Sequence, residues 1–395
     1  MSEQEPRTIA FVNAQIAGFG RGALRIRGPR IVSLGARAES GDQVVDLNGE
    51  RLMPGLINSH DHLHRNHYPR LKYQSRYENA SQWAADFDVR RSGDAVLTAG
   101  SVMPRTDCLV FGGLKNLLSG VTTVLHHDAP FPEFTTPGFP VHVVPRYGWA
   151  HSLAIDGPSR VCGSHGATQP DIPWFIHAGE GFDAAAAMEA AQLEALGLLT
   201  PNTVLVHGLG FDAAARALLI QRRVGLVWCP GSNHFLYDRT AAARDFGRAG
   251  LLALGSDSRL SGERDLLDEL RFARSTGEVD DAQLESLVTS DAARLVRTPD
   301  RGVLRAGAVA DLVVLPPDAR LWEVRRAVLR CVITRGEMRY GDDDYADLLL
   351  ESHCRARVVV DERRKCLTTS VAELLQRCAI REPGVELICG AARAA

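Results

Sequence analysis

The feature that most constrains this chain is a series of segments that are apolar throughout and alternate with helix-forming stretches. "VTTVLHHD" (121–128), "VHVVPRYGWA" (141–150), "PWFIHAGE" (173–180), "TVLVHG" (203–208), "GLVWCPGS" (225–232) and "LLALGSDS" (251–258) lack the every-second-residue polarity of a half-exposed strand. Strands of that kind must be covered on both faces. Suitable covers lie between the later ones, in the Ala- and Leu-rich "FDAAAAMEAAQLEALGLL" (182–199) and "DAAARALLIQRR" (212–223). Parallel neighbours need a crossover of a dozen or more residues, which such helices provide. The expected class is α/β, with a (β/α)8 TIM-like barrel over residues 53–302.

The two ends read differently. Residues 8–50 hold short strands, "TIAFVNAQI", "GALRIRG", "RIVSLG" and "QVVDLNG", separated by Gly and polar turns. Strands return in "GVLRAGAVADLVVLP" (302–316) and "RRAVLRCVITRGEMRYG" (325–341). Residues 1–52 and 303–341 are therefore expected to meet in a small β-sandwich domain beside the barrel. Residues 342–395 form a tail of mixed charge with one helical stretch, "VAELLQRC", and no readable role. A length of 395 residues, 45% of them hydrophobic, allows about two cores.

A net charge of -3 gives no reason to expect nucleic acid or an acidic membrane as partner, so a small molecule is expected. The opening "MSEQEPRTIAFVNAQ" has no basic segment followed by an apolar one, and no run of about 18 apolar residues occurs, which predicts a cytoplasmic protein. The eight cysteines (108, 162, 229, 331, 354, 366, 378 and 389) form no CxxC pair, as suits reduced thiols, and the irregular spacing of the last five argues against a metal site there. Oligomeric state is not readable; a homodimer is the commonest assembly.

Chemistry concentrates at strand ends. In "MPGLINSHDHLHRN" (53–66), alternation puts His60 and His62 on one face and Asp61 on the other. His177 and Glu180 end "WFIHAGE", His207 ends "VLVHG", and Asp257 ends "LALGSD". A single His there is most often a hydrogen-bonded bystander, and a single Asp a turn former. An ordered set on one sheet edge is another matter, because the C-terminal strand ends of a barrel converge on one mouth, where sites are kept. Three imidazoles and a carboxylate suit one divalent ion, Zn²⁺ first, with Fe²⁺ or Mn²⁺ also compatible. Such an ion lowers the pKa of its water towards ~7. Asp257 is placed to take that water's proton, Glu180 to carry a proton to a leaving nitrogen, and His207 to polarise the attacked carbon's substituent or orient the nucleophile.

These stretches, with "LLSGVTTVLHHD" (117–128), "CPGSN" (229–233), "LGSDSRLSG" (254–262) and "DAARLVRTPDRGVLRAGAVADLVVL" (291–315), resemble the amidohydrolase superfamily, nearest its cytosine/guanine deaminase and triazine-hydrolase branch. The resemblance spans residues 8 to about 340. It implies His60, His62, His177 and Asp257 as metal ligands, and Glu180, His207 and Asp257 as proton-handling residues. It also implies a barrel beside a β-sandwich made from both chain ends. Two-metal members commonly bridge their ions with a carboxylated lysine on the fourth strand; the only lysines here are 72, 115 and 365, so a mononuclear site is expected. Between "YGWA" and "PWFIHAGE" there is room for one helix but not for helix, strand and helix, so the barrel should be abbreviated near its fourth strand.

Substrate contacts are expected from His64, which follows the HxH pair, from Trp149 and His151 in "RYGWAHS" beside Arg146, from His234 after "CPGSN", and from Arg259. His126 and His127 end the second strand, where alternation turns one of them inward. The function expected is hydrolysis of a C–N bond at one metal ion, as deamination of an aminated N-heterocycle. Hydrolysis of an amide, ureido or imidazolone C–N bond is the alternative, and a non-catalytic scaffold of the same fold ranks below both.

Overall fold

The computed structural model describes residues 7–136, 138–348 and 356–388. Cys354 and Cys389 lie outside the described residues.

Parallel strands carry the centre of the molecule: β1 (Leu56–Asp61), β2 (Val121–His126), β3 (His142–Val143), β4 (Gly148–Trp149), β5 (Trp174–Ala178), β6 (Thr203–His207), β7 (Gly225–Trp228) and β8 (Leu252–Leu254). They form two parallel sheets, β1–β2–β3 and β4 through β8 in chain order, rather than one closed ladder. Beyond the end of β8, the Asp257 amide donates to the His60 carbonyl at 3.0 Å and joins the outer edges of the two sheets. A side chain at Gly255 would put a Cβ 2.6 Å from the Cβ of His60, so only glycine allows this approach. The α/β class with parallel strands thus holds, and no helix among the described residues is long and apolar enough to cross a membrane.

Continuous apolarity has the expected cause. Every residue of β1, β2, β5, β6, β7 and β8 is buried. Leu125, Phe175, Val204, Val206, Val227 and Ala253 pack together in one cluster. Their neighbours Val124, Ile176, Leu205, Leu226 and Leu254 pack in another, with Leu114 and Leu117 of α1 (Arg105–Leu118), Leu193 of α3 (Ala184–Ala195) and Leu219 of α4 (Ala213–Gln221). Alternate residues of one strand thus bury against different partners on its two faces.

The abbreviation lies elsewhere than expected. Residues between β4 and β5 hold one helical stretch, α2 (Leu153–Ala167), kinked at Gly157 ahead of Pro158, whereas only four residues separate β3 from β4 and no helix crosses there. β3 pairs with β2, β4 pairs with β5, and Val144 still donates to Val124 at 2.9 Å. Pro145 follows, with no amide hydrogen to continue the ladder. Residues 142–149 act as one bent strand that leaves β2 and hands its pairing to β5.

Among the described residues, the chain ends share one eleven-stranded sheet. They meet where Arg51–Pro54 pairs antiparallel with Leu312–Leu315. The tail extends this sheet: Arg363–Leu367 pairs with Glu337–Gly341, and Ala356–Val360 and Val385–Ile388 continue outward. The "VAELLQRC" stretch is helical over Thr369–Arg377.

Candidate metal centre

Five histidines and two acids converge from the ends of five strands, β1, β2, β5, β6 and β8. His60, His127 and His177 offer nitrogens within 4.8 Å of one another, and so, as a second set, do His60, His207 and the Asp257 carboxylate. His62 completes the cluster, its ring centroid 4.9 Å from His60 and 5.4 Å from His177, and its Nε2 4.0 Å from Asp257 Oδ1. Register explains the pairing of strands β5 and β6: His177 lies opposite Val206, and His207 opposite Ala178. His207 and Asp257 have φ of +78° and +53°. Left-handed backbone at non-glycine residues is costly, of order 1–3 kcal/mol each, and gathers where a site fixes it.

Two of the imidazoles, His177 and His207, are anchored through Nδ1. His177 Nδ1 lies 2.8 Å from the His151 carbonyl, which can only accept, so Nδ1 carries the hydrogen and Nε2 keeps its lone pair. His207 Nδ1 meets Asn233 Oδ1 at 2.8 Å with the same result. His60 Nε2 and His62 Nδ1 are buried without a hydrogen-bond partner. Burial pushes His60, His62 and His177 below the ordinary imidazole value, and for His62 the nearby Arg65 adds to it. All three are thus neutral, the form that binds metal.

Asp257 is held for the opposite charge. Burial works against its ionised form, yet its pKa lies below the usual carboxylate range, through the charges of His60 and His207 when these rings are protonated and through the Ser258 amide. Its Oδ1 accepts from the Ser258 amide at 2.6 Å and lies 3.7 Å from His60 Nε2, while Oδ2 accepts from the hydroxyls of Ser232 and Ser261, both at 2.9 Å. Glu180 differs: burial raises its pKa, its Oε1 is 3.6 Å from His207 Nε2, and it accepts from Tyr237 Oη at 2.9 Å. Unpartnered buried nitrogens beside an ionised carboxylate fit a divalent cation.

Asp61, between the two HxH histidines, faces away. It accepts from Lys115 at 3.1 Å, Asn116 at 2.8 Å and Asn66 at 2.8 Å. Lys115 is fully buried and also donates to the Asp257 carbonyl at 3.1 Å and to Ser256 Oγ at 3.0 Å, tying β1 to the segment that carries Asp257.

Of the expected substrate contacts, three surround the cluster. His64 lies 6.2 Å from His62 between ring centroids and 3.6 Å from Asp128; Trp149 is half-buried edge-on to His127 at 6.3 Å; and His151 lies 4.7 Å from His177 with Nδ1 buried and unpartnered. Burial lowers both His64 and His151 to about 4. Two expectations are corrected. Arg259 makes a bidentate pair with Glu382 at 2.8 and 2.9 Å and donates its Nε to the Arg264 carbonyl, which leaves the guanidinium none of its forked geometry for a substrate. The His234 ring is exposed on α5 (Pro230–Tyr237), against Phe272 and 3.6 Å from Asp238. Arg146 is likewise exposed, near Asp171. Sequence reasoning passed over Tyr237, Asn233 and Lys115. Asn233 stands inside "CPGSN", but a buried lysine or tyrosine has no local signal.

Comparison with known proteins follows this geometry. Residues 162–339 match the amidohydrolase family model. The chain is 26% identical over 329 residues to the 5-methylthioadenosine/S-adenosylhomocysteine deaminase of Halobacterium salinarum, covering 71% of this chain and 76% of that protein. Among solved structures, zinc-complexed atrazine chlorohydrolase from Arthrobacter aurescens superposes with a TM-score of 0.67 at 17% identity, over 84% of this chain and 94% of that one. The chain thus resembles the amidohydrolase family in sequence over residues 162–339, and its fold matches that solved structure over most of its length. Another amidohydrolase-fold neighbour, an adenosine deaminase from Xanthomonas campestris with bound zinc, gives a TM-score of 0.67 at 19% identity over 87% and 96% of the two chains. A shorter match, 33% identical over 172 residues, covers 39% of this chain and 38% of the 5'-deoxyadenosine deaminase of Methanoregula boonei.

Proposed function

We propose that this chain is a mononuclear metal-dependent hydrolase that removes ammonia from an aminated N-heterocycle, with His60, His62, His177 and Asp257 holding the ion. The observation that carries the reading is the convergence of neutral, unpartnered imidazole nitrogens on an ionised Asp257, with Glu180, whose protonated form burial favours, beside His207. Relatives named as adenosine-type deaminases, and neighbours crystallised with zinc, support deamination and zinc. In this reading residues 53–302 form the catalytic barrel, and residues 1–52 with 303–341 form its β companion.

A bound Zn²⁺ supplies Lewis acidity, which makes a water molecule a usable nucleophile near neutral pH. The chain's residues divide the rest. Asp257 accepts the proton that this water loses as it adds to the amino-bearing carbon. His207, held by Asn233, presents Nε2 to the addition centre. Burial favours the protonated form of Glu180, which delivers its proton to nitrogen as the C–N bond breaks and takes back the proton of the added hydroxyl, leaving a carbonyl and ammonia. Tyr237 fixes the Glu180 carboxyl by donating to Oε1.

Ammonia release from a panel of aminated purines, pyrimidines, pterins and triazines, with N-acyl compounds alongside, tests this. Turnover with ammonia as product, lost on chelation and restored by Zn²⁺, is expected. Turnover that survives complete metal removal would overturn the reading, and an acyl-cleaved or ring-opened product would replace deamination with amide-type hydrolysis.

A further inference from the structure

His127 takes no part in that scheme, yet it is inserted into the cluster. It ends the second strand one residue past β2, is 1% exposed, and stacks on His177 with centroids 4.2 Å apart. Its Nε2 lies 2.9 Å from the Ala150 carbonyl, and its Nδ1 lies 3.2 Å from Nδ1 of His60. A carbonyl only accepts, so Nε2 of His127 carries a hydrogen. The groups around the ring are His60, His62, His177, Trp149, Phe175 and that carbonyl, with no counter-charge among them, and a neutral imidazole has one hydrogen to place. His127 Nδ1 is then an acceptor, and the hydrogen shared by the two Nδ1 atoms belongs to His60.

We propose that His127 is a positioning residue that holds His60 in its Nδ1–H form and so aims the lone pair of His60 Nε2 at the metal position beside Asp257. His60 thereby joins His177 and His207, whose Nδ1 atoms donate to the His151 carbonyl and to Asn233 Oδ1. Three inward imidazoles are oriented by one device, an acceptor behind Nδ1, and for His60 the acceptor is another imidazole rather than an oxygen. Acceptors behind metal-ligating histidines set tautomer and ring orientation. The bent strand supplies the far end of the relay, because Ala150, which anchors His127, follows directly on β4 and donates its own amide to the Phe175 carbonyl at 2.9 Å. The path runs from the β4–β5 ladder through Ala150 and His127 to His60.

The proposal rests on the reading of the cluster as a metal centre, and its test separates the two. In metal-free protein, long-range ¹⁵N–¹H spectra report the tautomer of His60, assigned by the resonance lost in His60→Asn. Wild type should show Nδ1–H, and His127→Phe, which keeps a ring but removes the acceptor, should lose that preference. Zn²⁺ affinity by chelator competition should weaken about 10–100-fold in His127→Phe. His127→Gln, which restores an acceptor oxygen, should bind more tightly than His127→Phe. An Nε2–H tautomer in wild type, or a folded His127→Phe with wild-type Zn²⁺ affinity, would overturn the assignment. So would two equivalents of Zn²⁺ bound per wild-type chain, since His60, His127 and His177 would then hold an ion of their own. If wild type binds no Zn²⁺, the metal reading fails, and the tautomer spectrum still decides the hydrogen bond between His127 and His60.

Discussion

The histidine cluster and the ionic cluster that joins the tail to the residues after Asp257 are both withdrawn from water, and they leave opposite residues of bonding capacity. Around His60, buried nitrogens of His60, His62, His151 and Asn233 have no partner. At Glu382, which is 2% exposed, both carboxylate oxygens are matched: Arg259 binds them in a bidentate pair, fully buried Arg326 reaches Oε1, and Arg326 also pairs with Asp361 at 2.8 and 2.9 Å. Buried polar groups are normally satisfied, so capacity left open marks the place that awaits a ligand, and capacity fully closed marks structure. The difference assigns chemistry to one cluster and the attachment of residues 356–388 to the other.

The sharpest way to separate them is Glu180→Gln. It removes a transferable proton but keeps an oxygen for the Tyr237 hydroxyl. Turnover should fall about 10²- to 10⁴-fold, roughly 3–5.5 kcal/mol of barrier. Bound metal and the unfolding midpoint should stay at wild-type values, as metal analysis and denaturation would report. Loss of metal in this variant would make Glu180 a ligand rather than a proton carrier.

Glu382→Ala should do the reverse. It leaves Arg259 and Arg326 as buried guanidiniums that share no counter-charge between them, and breaking such a pair from one side costs about 3–5 kcal/mol of stability. Urea unfolding would measure this, with metal content of the folded protein unchanged. Arg259 is two residues from Asp257, so a variant that stayed folded but lost its metal would erase the distinction between the clusters and make the tail part of the centre.

These clusters also differ in how far the sequence reveals them. His60, His62, His177, His207 and Asp257 stand at the ends of apolar strands, and because such strands are parallel and buried, strand order alone brings their ends together. Glu180 could be read because it follows His177 across one turn. The partner of Arg259 could not, being 123 residues away in a tail whose charges show no period. His127 was visible as one of two adjacent histidines, but which faced inward depends on the twist and bulges of β1 and β2, whose register shifts twice. The shortened part of the barrel was foreseen from a residue count, yet placed after β4 rather than before it. Residues 142–149 look like one uninterrupted strand, and only the pairing shows that its two halves belong to different neighbours.

A third buried acid tests the rule at its weakest effect. Glu269 in α6 (Leu266–Thr276) is fully buried and carries neither a cation nor an open valence. Its oxygens accept from the backbone amides of Gly231 at 2.7 Å and Glu263 at 3.3 Å, tethering the first turn of α5. Burial outweighs those bonds and pushes its pKa up to about 8 from an ordinary 4.5. The folded state therefore keeps a proton that the unfolded chain releases above pH ~4.5, and stability from this group is complete below that pH and is lost as pH rises through about 8. Glu269→Gln keeps an oxygen for the Gly231 amide and cannot ionise. Between pH 6 and 7.5 wild type should lose about 2 kcal/mol relative to the variant, at about 1.4 kcal/mol per unit. Parallel urea titrations of the two proteins would show it as a difference in slope. Identical slopes would mean that Glu269 is ionised in the fold, and that a buried charge here persists on two backbone amides alone, without the arginines that Glu382 requires.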